Sequence, residues 1–225
     1  MTSDTVFLGI AAVAVAFSLY FKLTRSLLNH FITVVHEFGH AIAALFLGGK
    51  VQGIKINSDG SGVTMSGHEV NMSYIPIRIV TLLSGYSFPI FLGIGLLWAW
   101  FNNYVVAGVI TLAIVSLLSF VFLRNFFALF VMILFSAITV GTFFLPWTGY
   151  PYVLASVGLV FLILGLKDAG QISKAVFQKR PELNSDFNLL KDQTHIPAQV
   201  WVIIFWGIQI ALLTAFLLLT GLLKV

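Results

Sequence analysis

The feature that most constrains this chain is a succession of apolar runs of about twenty residues, separated only by short polar or turn-forming stretches. As a helix, a run of that length crosses the roughly 30 Å hydrocarbon core of a bilayer. Helices satisfy their own backbone hydrogen bonds there. Composition agrees: 59% of the 225 residues are hydrophobic and 9% are charged, against about a quarter charged in a soluble domain. The expected fold is an all-α polytopic membrane protein, one membrane-embedded domain over 1–225. A large soluble domain, a disordered chain and a nucleic-acid-binding chain are excluded. The net charge of +4 is small and is read as topology. The absence of Cys excludes disulfides, iron–sulfur clusters and cysteine catalysis.

The apolar runs predict about seven transmembrane helices, near 5–21, 27–47, 74–100, 104–122, 126–145, 152–167 and 197–222. Pro89 and the glycines around it predict a kink or break in the third. Between the second and third, Val51–Ile56 alternates apolar and polar residues, Asp59-Gly60 is a turn signal, and Val63-Thr64-Met65-Ser66 follows. A small β-hairpin over 50–70 is expected, turning at Asp59-Gly60. Residues 168–196 carry most of the remaining charge and are expected to form a water-exposed cytoplasmic loop. Seven crossings would put Lys50, Lys55, Arg78, Arg124, Lys167, Lys174, Lys179, Arg180 and Lys191 on the side of the N-terminus, and Lys22, Arg25 and Lys224 on the other. That bias predicts a cytoplasmic N-terminus.

The second run holds His36-Glu37-Phe38-Gly39-His40, an H-E-x-x-H pattern. Residues i and i+4 of a helix share a face, so both imidazoles can reach one Zn2+. Glu37 is placed to act as general base on a water and then as acid to a leaving amine. His and Glu are scarce here, and ionisable residues in mid-membrane cost on the order of 3 kcal/mol and usually mark function. Counting back from Leu47-Gly48 at 1.5 Å per residue places the metal roughly 10–17 Å below the membrane surface. A third protein ligand is still required.

Several stretches, in order, resemble one family. His36-Glu37-Phe38-Gly39-His40-Ala41 is followed by Val51-x-Gly53-Ile54 with Gly62, Gly85-Tyr86 with Pro89, Arg124-Asn125, and Ser185-Asp186 leading to Thr194-x-Ile196-Pro197 and Trp201. This order is similar to the site-2 protease family of intramembrane zinc metallopeptidases, and closest to its small bacterial B-type branch. The resemblance implies an integral protein of the bacterial cytoplasmic membrane that cuts transmembrane or membrane-proximal protein substrates with zinc. The Leu-Asp-Gly motif that supplies an Asp ligand in many members is absent. Three candidates take its place. Asp186, in the Ser-Asp element that resembles the branch, ranks first. Asp168, at the end of the sixth run, ranks second and Asn125 third. Arg124 and Asn125 are also candidates for binding substrate. An exposed hairpin edge could take an unwound substrate by strand addition. Two rival readings stand beside the peptidase: a zinc-binding membrane protein without peptidase activity, and a small-solute or ion transporter. Clustering of the ionisable residues in one motif argues against the transporter.

Overall fold

The structure, a computed structural model, describes residues 3–57, 59–67, 74–144, 149–178 and 185–222. It is mostly helical. Helix α1 (Ser3–Ser18) is followed by α2 (Lys22–Phe46), strands β1 (Lys50–Ile56) and β2 (Gly62–Gly67), then α3 (Tyr74–Phe101), α4 (Val105–Phe122) and α5 (Phe126–Thr139). A short 3-10 turn, Gly141–Phe144, leads to α6 (Tyr150–Phe177), α7 (Asp186–Thr194) and α8 (Ala198–Leu219).

Four helices, α3, α4, α6 and α8, are long and apolar enough to cross a membrane. The runs near 5–21 and 27–47 pass that test only together, as a pair bent by 105°. Counted as one broken span, they bring the total among the described residues to five, so the expected count of about seven is not confirmed. The fifth run stops at Thr139, and its 14 residues rise only about 21 Å. The nine-to-three charge bias presupposed seven crossings, so the orientation of the N-terminus no longer follows from it.

The expected loop over 168–196 also needs correction. Residues 168–177 continue α6 as helix. Ser185 then opens α7, its hydroxyl accepting a hydrogen bond from the backbone N–H of Asn188, the usual service of a Ser N-cap. Phe187 and Leu190, one turn apart, are fully buried. They dock α7 on Tyr86, Trp201 and Phe205 of α3 and α8. The Trp201 indole donates to Thr194 Oγ1 at 3.1 Å and fixes the other end of α7. The segment is polar in composition but amphipathic, which is why charge alone reads it as loop.

Helix α3 runs unbroken through Pro89. It packs on both α2 and α6. At the α3–α6 crossing a Cβ on Gly93 would lie 2.7 Å from Leu162 N and 2.8 Å from Gly158 O, so the backbones touch, as small residues permit between membrane helices. Helix α2 buries Phe31, Ile32, Val34, Val35, Phe38, Ala41 and Ala44, the spacing of one helical face. Gly48, at φ +80°, closes it in the left-handed conformation that favours glycine.

After Gly48 the chain turns back, and both strands pack on α2. The hairpin pairs antiparallel, Ile56 opposite Gly62 and Ile54 opposite Thr64, and turns at Asp59-Gly60 as its sequence predicts. Gly60 O accepts from Thr33 Oγ1 at 3.0 Å, so the tip reaches the middle of α2. The other edge of β1 is occupied too. Leu123 bridges Ile54 in parallel, and Arg124 N donates to Ile54 O at 2.9 Å. Only β2 is left as a sheet edge among the described residues.

Candidate metal centre

The site is built from three elements. Helix α2 presents His36 and His40 one turn apart, their Nε2 atoms 3.1 Å from each other. Helix α7 brings Asp186 Oδ2 to 3.3 Å from His36 Nε2 and 3.4 Å from His40 Nε2. Helix α3 closes the third side. Ligand atoms at about 2.0–2.1 Å from a tetrahedral zinc lie about 3.3–3.4 Å apart. The three atoms therefore already stand close to one face of such a tetrahedron, and the group can hold a metal ion.

The donor chemistry fits as well. His40 Nδ1–H donates to Thr81 O at 2.7 Å, which leaves Nε2 with its lone pair toward His36 and Asp186. Asp186 Oδ2 is buried without a hydrogen-bond partner. Two imidazole nitrogens and a carboxylate oxygen that converge at these distances are a donor set that fits a cation. The His36 ring meets Tyr86 edge-on, 4.4 Å between centroids, and Tyr86 stacks on Phe187. One aromatic column thus sets both His36 and the helix that carries Asp186.

A family model described as peptidase M50B-like matches residues 8–216. The chain belongs to that family. This is the site-2 protease family that the order of motifs resembles. Membership points to an intramembrane metallopeptidase and, with the apolar helices, to an integral membrane protein. No curated protein and no solved structure matches the chain.

In this M50B-like chain Gly85 is part of the cradle. A Cβ there would collide with His40 Cε1, and would stand 2.5 Å from His40 Nε2 and 2.8 Å from His36 Nε2. Gly85→Ala is therefore expected to push the imidazoles apart and weaken affinity for a metal ion about tenfold or more, the scale of losing a group that orients a ligand, with folding retained. Competition with a chelating dye measures it, and unchanged affinity would contradict the packing.

The cleft in front of these residues measures about 540 Å³. Glu37 lines it and is nearly buried. Its carboxylate accepts a hydrogen bond from Thr64 Oγ1 of β2 at 2.7 Å. Asp168 lines the same cleft but stands outside the three-donor group, and it lies within α6 and not at a span end.

Arg124 and Asn125 do not line the cleft. Arg124 Nε donates to Gln52 O at 3.1 Å. Asn125 Nδ2 donates to Ile56 O at 2.6 Å, and its Oδ1 accepts from Ile56 N at 3.2 Å. The two residues fasten β1 and stand outside the three-donor group. Asn125→Ala strands both backbone groups of Ile56, each at a cost of about 1–3 kcal/mol. A marked loss of stability in detergent unfolding is expected; an unchanged midpoint would show the clamp to be idle.

Thr64, Thr81 and Gly85 were not anticipated as site residues. Gly85 stood in one of the stretches that resemble the family, without a role, and Thr81 falls four residues before it on the same face of α3.

Proposed function

We propose that the protein is an intramembrane zinc metalloendopeptidase that hydrolyses peptide bonds in membrane-embedded or membrane-proximal protein substrates. The observation that carries this reading is the triangle of His36 Nε2, His40 Nε2 and Asp186 Oδ2 with the Glu37 carboxylate beside it in one cleft. These three atoms would hold zinc, which polarises the scissile carbonyl and makes water acidic near neutral pH. Glu37 takes the proton of the attacking water on its carboxylate and passes it to the leaving nitrogen. Thr64 Oγ1 stands 2.8 Å from Glu37 O and 2.7 Å from Glu37 Oε2; when its one proton goes to Oε2 it holds the carboxylate and leaves Oε1 to receive the proton.

A helical substrate exposes no peptide bond until it unwinds. The β2 edge, at Gly62, Val63, Thr64 and Ser66, lines the cleft and offers unwound chain a strand to pair with. Strand backbone at membrane depth is tolerated where it lines a cavity, and this cleft is one. The transporter reading has less support, because the ionisable groups gather in a single cleft.

The test is cleavage of synthetic single-span peptides by the purified chain in phosphatidylcholine nanodiscs, read by mass spectrometry. Cleavage that stops with a zinc chelator and returns with zinc is expected. Cleavage indifferent to the chelator would overturn the zinc mechanism, and no cleavage from a broad peptide set would leave zinc binding without peptidase activity as the better account.

A further inference from the structure

One charged side chain in the cleft has no part in the metal centre or the proton relay. Arg78, in the first turns of α3, lines the cleft with Thr81, Leu82 and Tyr86. It is half-buried, and its Nε is buried without a hydrogen-bond partner. Among the described residues it makes no ion pair, although Asp168 lines the same cleft. A buried Nε–H without a partner is costly, and a carboxylate held by the planar fork of the guanidinium would satisfy it.

Position says where the carboxylate would come from. Arg78 precedes Gly85 by seven residues, so the two share a face of α3 and lie about 10 Å apart along its axis. Gly85 touches the imidazoles. An extended peptide rises about 3.3 Å per residue, so 10 Å corresponds to about three residues of substrate. Resting on the peptidase reading above, we infer that Arg78 is a specificity-determining residue: it binds an Asp or Glu side chain of the extended substrate about three residues from the bond that is cut.

The test separates this inference from the peptidase reading. Zinc-loaded Glu37→Gln protein in phosphatidylcholine nanodiscs is offered a random synthetic decapeptide library, and retained peptides are sequenced by mass spectrometry. Retention of Asp- or Glu-containing peptides is expected to exceed that of neutral ones by about 10–100-fold, the range of a charge-assisted hydrogen bond. Adding Arg78→Gln removes the preference, Arg78→Lys keeps part of it, and Arg78→Glu reverses it toward Lys and Arg. Reversal cannot come from misfolding. In the chain with native Glu37, cleaved peptides then carry the acid about three residues from the new terminus. An acidic preference unchanged by Arg78→Glu, or no acidic preference, overturns the inference. Loss of the preference when phosphatidylglycerol is included overturns it too, and assigns Arg78 to a lipid phosphate. Acidic capture that follows Arg78 without any cleavage by the native chain would sink the peptidase reading and, with it, the spacing from a cut bond, while the contact of Arg78 with an acidic side chain would survive.

Discussion

Glu37→Gln is expected to bind zinc as the native chain does and to lose proteolysis by about 10²–10⁴-fold, the usual range for a missing general base. Glu37 stands outside the three-donor group, so the metal keeps all its protein ligands. The amide is nearly isosteric and still accepts the Thr64 hydroxyl through its oxygen, so the cleft keeps its shape. What it lacks is the capacity to take a proton from water and return it to the leaving nitrogen. Single-turnover cleavage of a membrane-span reporter measures the rate, and metal analysis of the same sample measures occupancy. Normal cleavage by Glu37→Gln would remove the proposed chemistry while leaving the metal site in place.

Asp186→Ala is expected to lose both zinc affinity and cleavage. Its Oδ2 is the third corner of the triangle, 3.3 and 3.4 Å from the imidazole nitrogens. Without it two neutral donors remain and the charge of the cation goes uncompensated in a buried place. The fall in affinity is expected to exceed the about 10–100-fold typical of losing a residue that only orients a ligand. Phe187 and Leu190, not Asp186, dock α7, so the variant keeps its fold. Asp168→Ala is the control, because Asp168 lines the cleft outside the triangle; its zinc affinity stays near that of the native chain. Loss of zinc with Asp168→Ala but not with Asp186→Ala would exchange the two roles.

The parts legible in the sequence were the local ones. His36, Glu37 and His40 lie within two turns of one helix, so a helical period is enough to put both imidazoles on one face. The hairpin carries its own alternation and its own Asp59-Gly60 turn. Asp186 is different: it reaches the imidazoles only because α7 folds back against α3 and α8, and the order of motifs in a family resemblance was the sole guide to it. Hydropathy sees length and apolarity but not direction, so it counted the bent α1–α2 pair as two spans. Polarity ended the sixth run at Lys167, yet α6 continues to Phe177, and Asp168 and Ile172 on this extension line the cleft. Arg124-Asn125 at a span boundary suggested a grip on substrate. In the fold the partner they grip is β1, an outcome decided by a long-range contact with Gln52, Ile54 and Ile56.

The claim on which everything else rests is that His36 and His40 hold a metal with Asp186. Zinc per chain in the purified protein, by inductively coupled plasma mass spectrometry, tests it most directly. About one zinc per native chain and none in His36→Ala/His40→Ala is the predicted result, each imidazole being one of only three protein donors. Stoichiometric zinc retained in the double variant would contradict the site.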